Sequence, residues 1–136
     1  MRMFLGEYQV NITEGARLSL PKKLRDQTGE VAILTRGFEK CLLGYAREDW
    51  EGESQKQLTA PISDAKARHL KQYFYSGAAE VSFDDQGRFV LPSSLHEYGG
   101  IGLKAVVIGA GDHFEIWDEK QWRMHLAKIG TEVLGG

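Results

Sequence analysis

Cysteine is almost missing from this chain: Cys41 stands alone, so no intrachain disulfide can form, and the composition fits a reducing cytoplasm. No stretch approaches the ~18 apolar residues of a membrane span. The opening Met1-Arg2-Met3-Phe4-Leu5 stops at Gly6-Glu7, which does not make a secretory signal. A basic excess is lacking too. Lys and Arg total 17 against 19 Asp and Glu, a net charge of −2. That argues against a uniformly basic nucleic-acid binder and leaves room only for a local patch. The four histidines, His69, His96, His113 and His125, lie far from one another and from Cys41, so no zinc-ligand spacing exists. Gly109-Ala110-Gly111 lacks a third glycine and precedes a strand, so it reads as a hairpin turn and not as a dinucleotide fingerprint. Asp84-Asp85 reads as an acidic turn, and Cys41, in an apolar strand with no base beside it, as a buried inert thiol. No catalytic constellation, cofactor site or small-molecule site emerges.

What is present is a duplication. Val81 to Pro92, VSFDDQGRFVLP, reads as two short strands around Asp84-Asp85-Gln86-Gly87. Asp opens the turn, Gly87 supplies a positive φ, and Asp84 and Arg88 flank it within plausible reach of one another. Val10 to Pro21, VNITEGARLSLP, repeats the arrangement. Arg17 and Arg88 are 71 apart, as are Pro21 and Pro92, and Leu24 and Leu95. Beyond that the offset is 72: Gly37 with Gly109, Tyr45 with Trp117, Trp50 with Trp122. A fixed offset over this length marks an internal repeat.

At 136 residues the chain suits two small halves, each with a marginal core of its own, so mutual packing or oligomerisation is expected. The division reads as a first repeat over 1–58, a connecting helix over 59–76, a second repeat over 77–129 and a flexible tail over 130–136. In the first repeat, alternation predicts a strand from Phe4 to Ile12 and another at Leu18 and Leu20. Pro21 opens a helix to about Asp26. Strands at Val31–Thr35 and Cys41–Tyr45 follow, then a polar helix from Arg47 to about Leu58 anchored by Trp50. In the connector, Ser63 or Asp64 caps a helix with an Ala67, Leu70, Tyr73 and Phe74 stripe, and Ile62 offers a staple. The second repeat runs through a strand to Phe83, a strand to Leu91, a helix from Pro92 to about Tyr98, strands at Val106–Ile108 and Phe114–Trp117, and a helix from Glu119 to Ile129. The aromatics read as core or subunit interface.

The two turns differ. Thr13 stands where the second has Asp84, and Gly15 precedes Ala16 where Gly87 directly precedes Arg88. Gly15 at the third position suits a type II turn on Thr13-Glu14-Gly15-Ala16. Arg17 therefore lacks its expected carboxylate unless Glu14 substitutes. Between Ala16 and Arg25 lie Arg17, Lys22, Lys23 and Arg25 with no acid among them, whereas Ser93 and Ser94 replace the lysines in the second half. Such a cluster is either a solvated helix face or a phosphate-binding patch.

The opening MFLGEYQVNI, the RLSLP and RFVLP pieces and FEIWDEKQW resemble the MraZ family, bacterial transcriptional regulators of the division and cell-wall gene cluster, within the AbrB-like swapped-hairpin proteins. The resemblance covers residues 3 to about 129. It implies an α+β fold of two AbrB-like halves intertwined in one subunit, ring-shaped homo-oligomers, association with the nucleoid, and binding to short direct repeats in promoter DNA. It also implies that the D-x-x-x-R loop touches DNA, a role that falls on Arg17 and on Arg88; in that reading the acid-free window sets Arg17, Lys22, Lys23 and Arg25 against the phosphates. Thr13, Gly15, Asp84 and Gly87 would shape the turns. An alternative of the same fold is an oligomeric scaffold or antitoxin-like interaction protein.

Overall fold

The computed structural model describes residues 2–58, 61 and 63–135; the staple expected at Ile62 and the Thr59-Ala60 part of the connector lie outside them. The first repeat contributes strands β1 (Glu7–Asn11) and β2 (Arg17–Ser19), helix α1 (Lys22–Thr28), strands β3 (Val31–Arg36) and β4 (Leu42–Ala46), and helix α2 (Arg47–Leu58). Helix α3 (Ala65–Gly77) joins it to β5 (Ala79–Ser82), β6 (Arg88–Val90), α4 (Ser93–Gly99), β7 (Lys104–Gly109), β8 (Phe114–Asp118) and α5 (Glu119–Gly135). Asp64 caps α3 through its side chain, accepting from the amides of Lys66 and Ala67. Helix α5 continues to Gly135, past the expected stop at Ile129. No proline follows Ile129 and the glycine cost is modest, so nothing local ends the helix there.

The strands of each hairpin-like segment do not pair with each other. The six-stranded sheet runs β1-β7-β8-β4-β3-β5, and β2 pairs β6 in a separate ribbon, all antiparallel. Strand β1 lies against β7 of the other repeat, and β5 against β3. Only the β3–β4 and β7–β8 hairpins are internal to a repeat. The expected two strands around the Asp84–Gly87 turn exist, but they are splayed into different sheets. A short isolated hairpin is marginal in water; exchange gives β1 and β5 the longer partners β7 and β3 and sets β2 against β6 over a common core.

The exchange is symmetric. In the ribbon, Leu18 sits opposite Phe89, its own counterpart 71 residues on; in the sheet, Leu43 sits opposite Glu115, its counterpart at 72. A position that pairs with its own repeat lies on a twofold axis, so a pseudo-twofold passes through both pairs. The counterparts Leu18 and Phe89, Leu20 and Leu91, and Leu24 and Leu95 are all buried in one core cluster shared with Ala32, Leu34, Ala105 and Val107. The other sheet face buries Cys41, Leu43, Val106, Trp117 and Trp122, with Phe74 of α3 against it. Strand register equates Ala32 with Ala105 and Arg36 with Gly109, an offset of 73, so Gly37 and Gly109 are not strict equivalents. Two more residues separate α4 from β7 than α1 from β3, and the β7–β8 turn is one residue shorter than the β3–β4 turn.

Helix α3 is tied to the turn after β3. Thr35 donates its hydroxyl to Phe74 O, Arg36 donates to Tyr73 O, and the Tyr73 and Tyr98 hydroxyls converge on Gly37 O at 2.8 and 2.6 Å.

Candidate nucleic-acid interface

The β2–β6 ribbon is the part of the fold that presents the two motif arginines together. Leu18 and Phe89 point inward, so strand alternation turns Arg17, Ser19, Arg88 and Val90 to the opposite face. Arg17 is opposite Val90 and Arg88 opposite Ser19, which sets the arginines diagonally across the ribbon. Val90 is 50% exposed, an apolar centre between two cations. Ser19 and Val90 were not singled out by the sequence; their place depends on a register between strands far apart in the chain.

The turns that end the ribbon are closed by different chemistry. In the second, Asp84 Oδ1 accepts from the Gln86 and Arg88 amides, both at 2.9 Å, and Oδ2 accepts from Arg88 Nε at 2.9 Å. The Gly87 amide donates to Asp84 O, and Gly87 takes φ 77°, as a glycine at this position can without strain. The hydrogen bond from the Arg88 amide, followed by the guanidinium and the Gln86 amide, holds the Asp84 carboxyl below the usual carboxylate range.

In the first turn the Thr13 hydroxyl donates to Arg17 O at 3.2 Å, beside the Thr13 amide bond to the same carbonyl. Gly15 has φ 79°, in keeping with the third position of a type II turn, but Ala16 is also left-handed at φ 58°. No residue before Gly87 in the second turn has a positive φ, so the two loops have different shapes. Both nevertheless extend the ribbon alike: the Leu20 amide donates to Gly87 O and the Leu91 amide to Ala16 O. Neither Glu14 nor any other described residue pairs with the exposed Arg17 guanidinium.

The remaining basic residues diverge. Lys22 reaches Asp26 at 3.2 Å, one residue past the acid-free window. Lys23 is exposed beside Met3, Leu5 and Tyr8. Arg25 turns toward the second repeat, with Nη1 3.3 Å from Leu20 O and 3.4 Å from Gln86 O. Of the five cations, Arg17 and Lys23 are without a hydrogen-bond or ion-pair partner among the described residues.

A second polar cluster lies away from the ribbon. His113 places Nδ1 2.7 Å from Asp112 and Nε2 2.8 Å from Glu115, and its ring stacks on Tyr45. Burial pulls the His113 pKa down, but hydrogen bonds to Glu115 and Asp112 outweigh it and leave it raised. Burial pushes the Cys41 thiol up to about 12, with Glu115 adding to the effect. That protonated thiol has none of the thiolate character a nucleophile needs. Among the described residues no group of three or more His, Cys, Asp or Glu could hold a metal ion. No described helix is long and apolar enough to cross a membrane.

Two matches to the family model described as "MraZ protein, putative antitoxin-like" cover residues 3–73 and 74–133. A protein of Roseiflexus castenholzii named "Transcriptional regulator MraZ" is 40% identical over 131 residues, 96% of this chain and 92% of its own length. Proteins of the same name from Limosilactobacillus fermentum and Acetivibrio thermocellus are 44% and 37% identical, covering 88% and 90% of this chain and 84% and 86% of their own lengths. With both repeats matched and relatives aligned over most of their length, the chain belongs to the MraZ family.

Proposed function

We propose that this protein is a transcription regulator that binds double-stranded promoter DNA sequence-specifically, as a homo-oligomeric ring on direct repeats, and represses the division and cell-wall gene cluster from the nucleoid. The relatives' shared name supports transcription regulation. The observation that carries DNA binding is the exposed, unpaired Arg17 guanidinium on a two-stranded ribbon, diagonal to Arg88. A β-ribbon fits the major groove, and arginine can read a guanine edge or hold a phosphate. Lys22 and Lys23 add phosphate contacts, and ring formation multiplies a patch that one subunit, at net charge −2, supplies weakly.

The test is titration of fluorescent duplex from upstream of the protein's own gene against scrambled duplex at two salt concentrations. Tight, salt-sensitive binding that prefers the native duplex is expected. Equal, weak binding to both overturns the proposal. It would favour an oligomeric scaffold or antitoxin-like partner, a reading to which the divergence of Lys22 and Arg25 from Arg17 gives some weight.

A further inference from the structure

Arg25 belongs to the first repeat, yet its guanidinium lies on the turn of the second. A methyl group added at Gly87 would sit 1.3 Å from Arg25 Nη1 and 2.3 Å from its Cζ. The guanidinium therefore fills the space that a side chain at Gly87 would take. Its two hydrogen bonds, to Leu20 O at 3.3 Å and Gln86 O at 3.4 Å, are long. The fit is thus mainly one of volume, with the carbonyls setting direction.

The other repeat lacks both halves of this arrangement. Gly87 corresponds to Ala16, which carries a methyl group at the same left-handed position. Arg25 corresponds to His96, whose ring turns instead to Ile101 O at 2.9 Å. Where the turn has a methyl group, the facing helix has no arginine against it; where the turn is bare, the arginine occupies it. The two substitutions are complementary.

We propose that Arg25 is a positioning residue that clamps the second turn, and with it Asp84 and Arg88, against the first repeat. It leaves the first turn, with Arg17, as the adaptable side of the ribbon. The clamp fixes the distance and angle between the two arginines, so it governs preference among DNA sequences more than total charge on the backbone. This last step rests on the DNA-binding reading; the clamp itself does not.

The experiment compares Arg25→Ala, Arg25→Lys, Gly87→Ala and the Arg25→Ala/Gly87→Ala double variant in the full chain, by two readouts. The first is amide hydrogen exchange at Gln86, Gly87 and Arg88, with no DNA present. A clamp predicts faster exchange there in every variant, with Thr13–Arg17 unchanged, and a double variant no worse than Gly87→Ala alone, since both remove one contact. The second is the ratio of affinities for native and scrambled duplex, with its salt dependence. A positioning role predicts roughly tenfold loss of preference, a salt slope close to that of the wild type, and no rescue by Lys, which restores charge but not the planar fork. Unchanged exchange, with a salt slope reduced by about one and rescued by Lys, would make Arg25 a phosphate ligand and overturn the clamp. Additive effects of the two substitutions would overturn it as well. Should the wild-type protein prefer neither duplex, the DNA reading fails, while the exchange data still decide whether Arg25 holds the turn.

Discussion

The turns Thr13–Arg17 and Asp84–Arg88 occupy the same place in the two repeats, yet one is closed by a hydroxyl and the other by a carboxylate. Both accept the same cross-ribbon hydrogen bonds, Gly87 O from the Leu20 amide and Ala16 O from the Leu91 amide. The fold therefore needs two ribbon ends, not two copies of one loop. What differs is the state of the arginine. Arg88 and Asp84 each have 42% of the side chain exposed, so water screens their ion pair. It orients Arg88 and adds little to stability. In the first turn the orienting carboxylate is gone and the cation is left unspent. One arginine is held and the other available, a division that a perfect duplication would lack.

The most damaging way to break the comparison is to remove what both turns stand on. Leu18 and Phe89 meet on the pseudo-twofold, 1% and 3% exposed. Phe89→Ala should cost about 3–5 kcal/mol and Leu18→Ala about 2–5 kcal/mol in denaturant unfolding. Because the strands are exchanged, either change should unfold both halves in one transition; two separated transitions would show the repeats to be independent. Next in size is the binding loss. Arg17→Ala should lower affinity for the native duplex by ~1–3 kcal/mol or more while leaving unfolding free energy within about 0.5 kcal/mol. Arg88→Ala should lower affinity less, because that guanidinium must first leave Asp84. Equal losses in a fluorescence titration would erase the distinction between the turns.

The element order was open to reading because its signals are local. Alternation at Tyr8, Val10 and Ile12, prolines at 21 and 92, and the 71-residue offset carry strands, helix starts and the duplication within short windows. Strand partners are not local. Nothing near Val81 says that it lies opposite Ala32, because pairing depends on which apolar faces the whole chain buries. The same limit applied to the site. The window from Arg17 to Arg25 looked like one patch because its charges are adjacent in sequence. A short helix then sends Lys22 to Asp26 and Arg25 to a turn 61 residues away. That Arg25 occupies the space at Gly87 could not be foreseen from a glycine that a positive φ already explained. The His113 cluster was missed for a similar reason: Asp112, His113 and Glu115 are neighbours, but the stacking Tyr45 comes from the other repeat.

Thr13→Asp sharpens the comparison in the opposite sense. It places a carboxylate where the second turn has one, within reach of Arg17 by analogy with Asp84 and Arg88. The expected outcome is a folded protein whose affinity falls and whose salt slope shrinks by about one, since one cation is now neutralised before it meets a phosphate. An unaltered slope would mean that the Gly15-Ala16 backbone keeps Arg17 out of reach of position 13, and that loop shape rather than the missing acid sets it apart.

The smallest effect is a titration. Asp84 has its carboxyl held low in the folded protein, first by the Arg88 amide and then by the guanidinium and the Gln86 amide. An acid whose pKa is depressed by folding stabilises the folded form above its ordinary value, near pH 4, and loses that contribution as pH falls through the folded value. The group is exposed and screened by water, so the consequence is a local loosening of one turn and not acid unfolding of the chain. In NMR spectra, the Gln86 and Arg88 amide resonances should move together below about pH 4, while those of Gly15 and Arg17 follow no such curve. Asp84→Asn should abolish the titration yet keep the turn, because its side-chain oxygen can still accept the two amides. It would also release Arg88 from its charge partner and make the second turn resemble the first. If the Gly15 and Arg17 amides instead shifted with the same midpoint, the two ends of the ribbon would be coupled through β2 and β6, and their difference in closure would not make them independent.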